Sequence, residues 1–144
     1  MRVALIVALA LATTACASAS RSPEFLAATG GPVRPFSPLA KANGVLYLSG
    51  QIGADAAGNL VPGGIQAETR QTMENIKGVL LRAGSSMDKV FKCTVFIEDM
   101  KEWPAMNEIY VTYFDPARRP ARSATGASGL ALGARVEIEC LALP

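Results

Sequence analysis

Residues 65–83 constrain this chain most. Ile65, Met73, Ile76, Val79, Leu80 and Ala83 recur at helical spacing, and Arg70, Glu74, Lys77 and Arg82 fall elsewhere on the wheel. Gly84 is the expected stop. A helix with such a stripe must bury it against another layer. The following segment offers one. Over Val90–Ile97, Phe91, Cys93, Val95 and Ile97 share one face and Lys92 and Thr94 the other, which predicts a half-buried strand. A second helix follows. Asp99 and Glu102 fit a cap and its partner, and Pro104 suits the first turn. Met106, Ile109, Tyr110, Tyr113 and Phe114 form its apolar side, and these Met and aromatic residues read as core rather than as a ligand cage.

The flanking segments read as strands. Phe36–Lys41 is confined to an edge by Pro35 and Pro38. Asn43-Gly44 is a hairpin signal. Gly44–Ile52 is nearly all apolar and reads as a strand buried on both faces, followed by turns over Gly53–Gly64. After the second helix come a strand over Ser123–Ala127, a turn within Gly126–Gly133, and a last strand over Arg135–Leu141. In that last strand Val136, Ile138 and Cys140 oppose Glu137 and Glu139. The expected fold is α+β: strand-strand-helix-strand-helix-strand-strand, a mixed β-sheet with two helices on one face. The other face, carrying Lys92, Thr94, Glu137 and Glu139, is either wet or covered by another subunit.

Composition narrows the chemistry. A chain of 144 residues suits one domain with a real core, and half the residues are apolar. The formal net charge of +2 is too small to make nucleic acid or an anionic membrane the main partner. The sequence contains no histidine, which excludes Ser-His-Asp and Cys-His catalysis and His-ligated metal sites.

The N-terminus has the pattern of a secretory signal peptide. Met1-Arg2 is a minimal positive start, Val3–Ala12 an apolar run too short to span a bilayer, and Thr13–Ser20 a string of small residues. Two cleavage readings stay open. Ala15-Cys16-Ala17 or Ala17-Ser18-Ala19 suits an ordinary signal peptidase. Thr14-Ala15-Cys16 resembles a bacterial lipobox, in which Cys16 would carry a lipid anchor. The expected organisation is a leader over 1–19, a linker or loose first edge over 20–34, and one domain over 35–144. The expected location is the periplasm or, for the lipoprotein form, a membrane surface; a cytoplasmic protein is the alternative.

The segment Arg118-Arg119-Pro120-Ala121-Arg122-Ser123 is the candidate site. Pro120 fixes its own φ and pushes Arg119 towards extended backbone, so the chain leaves the helix stiffly. An arginine on stiff backbone presents its planar fork to a carboxylate or phosphate at little ordering cost. Taken alone, the run also suits a solvated turn.

Together, Leu48-Ser49-Gly50-Gln51-Ile52, Asn107, Pro120-Ala121-Arg122-Ser123 and Val136-Glu137-Ile138-Glu139 resemble the Rid family, the RidA/YjgF-type reactive-intermediate deaminases. The resemblance covers roughly 35–143. It implies a chorismate-mutase-like fold, a homotrimer whose sheets form a central barrel, and sites in clefts between neighbours. It also implies hydrolysis of 2-imino acids, such as 2-iminopropanoate or 2-iminobutanoate, to 2-oxo acids and ammonia without cofactor or metal. Arg122 matches the arginine that grips the substrate carboxylate. Glu137 matches the glutamate that holds or activates water, and Ser49 and Asn107 match polar residues lining the cleft. Phe36 stands where the family often has tyrosine, and Ala124 where it often has cysteine.

Each residue has a plainer role as well. Arg122 suits a structural ion pair between subunits, Glu137 a solvated strand position, and Ser49 and Asn107 backbone binding at element ends. Cys93 and Cys140 fall on core faces; export would allow a disulfide, but the sequence does not show them close. The competing functions are a non-catalytic binder of small carboxylates or a chaperone-like protein on the same fold, and RNA cleavage. The near-neutral charge and the lack of a basic-aromatic stripe disfavour RNA.

Overall fold

The computed structural model describes residues 22–29 and 34–144. The proposed leader, its cleavage sites and Cys16 lie outside the described residues, as does part of the segment read as a linker. The strands are β1 (Glu24–Phe25), β2 (Leu39–Ala42), β3 (Val45–Leu48), β4 (Gln51–Ile52), β5 (Val90–Ile97), β6 (Ala121–Gly126) and β7 (Val136–Ala142). The helices are α1 (Gly64–Arg82) and α2 (Trp103–Tyr110).

The sheet order is β1-β2-β3-β7-β5-β6, with β4 also paired to β7. β5 and β6 are parallel and the remaining pairs antiparallel, so the sheet is mixed. The Asn43-Gly44 hairpin forms with φ of 50° and 76°, the left-handed pair that a tight two-residue turn requires. The expected α+β fold with two helices is therefore present.

α1 buries Met73, Ile76 and Leu80 completely. It stops where Gly84 takes φ 74° and Ser85 N–H donates to Leu80 C=O at 2.9 Å. Together with Met106 and Tyr110 of α2, this stripe packs on Cys93, Val95, Ile97, Val136, Ile138 and Cys140 of the two central strands. Buried Glu68 of α1 accepts the Arg135 backbone N–H at 2.8 Å, and Arg135 Nη1 donates to Glu102 at 2.6 Å. These bonds fix the start of β7, two residues before Glu137.

The segment read as a linker or loose first edge supplies an edge: Glu24–Phe25 forms a strand on β2. Several expectations are corrected. β2 is consequently not an edge strand; Pro35 and Pro38 precede it and do not interrupt its ladder. The apolar run 44–52 is two strands broken at Ser49-Gly50, and it alternates rather than burying both faces, with Tyr47 44% exposed between Leu46 and Leu48. A register shift between Val90 and Lys92 places Val90 in the core and turns Phe91 outward, so Phe91 does not share the Cys93 face. Asp99 caps by accepting the Lys101 N–H at 2.9 Å, but Glu102 is held by Arg135 and does not reach back to complete a capping box.

Cys93 and Cys140 lie opposite each other on β5 and β7, with Cα atoms 4.1 Å apart, and form a disulfide inside the core. On the other face of the sheet, Tyr47, Lys92, Thr94, Glu137 and Glu139 stay wholly or partly accessible. Among the described residues no helix is long and apolar enough to cross a membrane.

Candidate active site

Arg122 is the second residue of β6, the edge strand beside β5. It pairs with Cys93, so its side chain leaves on the helix side of the sheet. There it meets α2. Nη1 donates to Asn107 Oδ1 at 2.7 Å, and the guanidinium carbon stands 5.1 Å from the Trp103 ring centroid and 4.6 Å from that of Tyr110. Positions 103, 107 and 110 are four and three residues apart, so one face of α2 presents all three. The ion pairs among the described residues involve Lys41, Lys77 and Arg135; Arg122 makes none. Its remaining N–H groups are therefore not committed to a carboxylate among the described residues. Ala124 lies two residues on along the same face, packed on the core.

Tyr110 is 3% exposed and its hydroxyl has no hydrogen-bond partner among the described residues. Burial pushes its pKa up to about 12, against the opposing pull of the Arg122 charge. Sequence reasoning did not single out Trp103 and assigned Tyr110 to the core. Tyr110 is in the core, but its ring also faces the arginine. The usable signal was the i, i+4, i+7 spacing of Trp103, Asn107 and Tyr110.

Glu137 belongs to a second group. It pairs with Phe96 on β5 and Ile52 on β4, and projects from the face opposite Arg122. Partial burial, and then the neighbouring Glu139 charge, raise its pKa above the usual carboxylate value. Its carboxylate rests against Gly50, where a Cβ would overlap Oε1. The strand break at Ser49-Gly50 thus makes room for this side chain. Ser49 Oγ donates to Ser37 C=O at 2.7 Å, the backbone-binding role open to it from the sequence. Phe36, next to Ser37, is 47% exposed, with the Arg34 guanidinium 6.0 Å from its ring.

The predicted site residues thus fall into two groups: Arg122, Asn107 and Ala124 on the helix side, and Glu137 with Ser49 and Phe36 around the Ser49-Gly50 break. One chain does not bring Arg122 and Glu137 to the same face. Among the described residues no His, Cys, Asp and Glu cluster could hold a metal ion. A pocket of about 340 Å³ is lined by Met87, Asp88, Tyr113, Phe114, Asp115 and Arg118 and includes neither Arg122 nor Glu137.

A mixed sheet backed by two helices thus carries an arginine anchored by Asn107 and paired with no carboxylate among the described residues. The sequence profile of the Endoribonuclease L-PSP family matches residues 27–143, and the chain belongs to that family, which includes the Rid proteins. It is 40% identical over 112 residues to a mouse 2-iminobutanoate/2-iminopropanoate deaminase, covering 77% of this chain and 82% of the relative. The Rid-family protein YyfA from Yersinia pestis superposes with a TM-score of 0.80 at 39% identity, covering 85% of this chain and all of that one. E. coli TdcF, solved with bound serine, gives a TM-score of 0.75 at 26% identity, covering 84% and 98%.

Proposed function

We propose that this domain hydrolyses 2-imino acids to 2-oxo acids and ammonia, with Arg122 binding the substrate carboxylate and Glu137 of a neighbouring copy acting on water. The observation that carries this reading is Arg122 itself, held by Asn107 and unpaired by any carboxylate of its chain among the described residues. The mouse relative's activity and the serine bound to TdcF support it.

Two N–H groups on one edge of the guanidinium suit a carboxylate, and each charge-assisted bond contributes about 1.5–3 kcal/mol. Water adds to the C=N carbon and loses a proton to Glu137, giving a tetrahedral carbinolamine. Glu137 returns that proton to the nitrogen, the C–N bond breaks to release ammonia, and the hydroxyl proton passes to the Glu137 carboxylate as C=O forms. A carboxylate with a raised pKa is a stronger base than an ordinary one once ionised. Because Arg122 and Glu137 project from opposite faces, the reading needs a second copy, and the homotrimer implied by the family resemblance supplies it. The open sheet face is then the surface on which the copies meet.

The core disulfide favours an oxidising compartment. It supports an exported protein, for which the N-terminal segment would be the signal peptide. Cell fractionation and the mass of the mature chain check this; an intact N-terminus in the cytoplasmic fraction would refute it.

To test the activity, an amino-acid oxidase generates 2-iminopropanoate and semicarbazide traps what is left unhydrolysed. Wild type should accelerate hydrolysis, Arg122→Ala should abolish the effect, and Arg122→Lys should lose most of it because lysine lacks the planar fork. Unchanged turnover in Arg122→Ala refutes the assignment. A folded wild type that accelerates no imino acid yet binds pyruvate would instead be a non-catalytic carboxylate binder.

A further inference from the structure

We propose that Trp103 and Tyr110 are positioning residues for Arg122, their ring faces fixing the plane of its guanidinium so that its free edge meets the ligand carboxylate. The proposal rests on the carboxylate-binding reading of Arg122 and adds the groups that make the arginine selective in orientation. An arginine side chain has many rotamers, and bidentate recognition needs a fixed plane. Asn107 takes one donor, Nη1, at 2.7 Å, but a single hydrogen bond leaves rotation about its own axis free. The rings at 5.1 Å and 4.6 Å remove that freedom, since both distances lie within the range where a cation is attracted to an aromatic face. Tyr110 is buried with its hydroxyl unpartnered among the described residues, so no hydrogen bond there explains the placement of its ring. All three contacts come from one face of α2, which makes the helix a rigid rack for the edge-strand arginine.

Trp103 is the sole tryptophan in the sequence, so fluorinated tryptophan alters this ring and no other. Fluorination drains the negative ring face while nearly preserving shape. The full-length domain is prepared with unmodified, monofluorinated and tetrafluorinated tryptophan, and pyruvate binding is measured by titration calorimetry. Pyruvate affinity should fall stepwise along the series, by about two- to thirtyfold in total. Melting temperature should stay constant. Tyr110→Phe should bind like wild type and Tyr110→Leu should not, with Trp103→Phe restoring most of what Trp103→Leu loses.

An unchanged pyruvate Kd across the series overturns the positioning role and leaves the carboxylate reading standing. A loss of affinity that only tracks a falling melting temperature marks the rings as structural and also overturns it. No pyruvate binding by the unmodified protein overturns both readings.

Discussion

Breaking the Cys93–Cys140 disulfide should cost this domain much of its stability. The bond joins positions 47 residues apart in the chain. Cross-linking a loop of that size removes denatured-state entropy equivalent to about 4 kcal/mol at 25 °C. Native stabilities are only about 5–15 kcal/mol, so the reduced domain would be marginal. Urea unfolding of oxidised and fully reduced protein, followed by circular dichroism, measures the difference. With an m-value of about 2 kcal/mol/M, the midpoint should fall by about 2 M on reduction. Reduction is a cleaner perturbation than Cys93→Ala, which would add a cavity to a site with no exposed surface. Both sulfurs are buried, so reductant should act on the folded protein slowly and through opening. Coincident midpoints, with thiol titration proving the bond intact in one sample and absent in the other, would refute the loop-entropy reasoning. Three free thiols per full-length chain, or two in a chain lacking Cys16, in protein purified without reductant would refute the bond itself.

Three further outcomes are expected. Arg122→Ala and Glu137→Gln proteins, each inactive alone, should regain about a quarter of wild-type turnover when unfolded together and refolded as a mixture, because some interfaces then pair an intact arginine with an intact glutamate from another chain; no recovery would place both groups in one subunit's site. Gly50→Ala should displace the Glu137 carboxylate and lower kcat with little change in melting temperature; an unchanged kcat would show that the close approach is irrelevant to activity. The raised pKa of Glu137 means that activity rises with pH as this group ionises, so Glu139→Gln should move the acid limb of the kcat/KM profile to lower pH. By the same linkage, the folded state binds that proton more tightly than the unfolded state. Stability therefore falls as pH rises through the folded pKa, and Glu137→Gln should stabilise the protein at neutral pH.

The helix over 65–83, the Asn43-Gly44 hairpin and the alternation of Val136–Cys140 were legible because each depends on local periodicity or local backbone preference. The bulge beside Phe91 was not, since one extra residue reverses a period-two count and leaves no mark in composition. The break at Ser49-Gly50 was hidden inside an apolar run; its reason is the Glu137 side chain, 87 positions away by residue number. Arg122 and Asn107 were identified from the family resemblance, and the structure joins them by a hydrogen bond. That Arg122 and Glu137 face opposite ways depends on pairing register, which side-chain patterns do not encode. The disulfide needed the same register to become visible.

β7 is the final strand in sequence and lies between β3 and β5. Until residues 136–142 are available, β1–β3 and β5–β6 share no strand and the sheet exists only as two unconnected ribbons. Folding of the sheet therefore awaits residues 136–142, and a chain emerging from a ribosome leaves it open until that strand has appeared. A truncation before Val136 removes the middle of the sheet rather than its rim. The same truncation leaves Cys93 without its partner, so in this protein the late-arriving strand also determines when the oxidative cross-link can close.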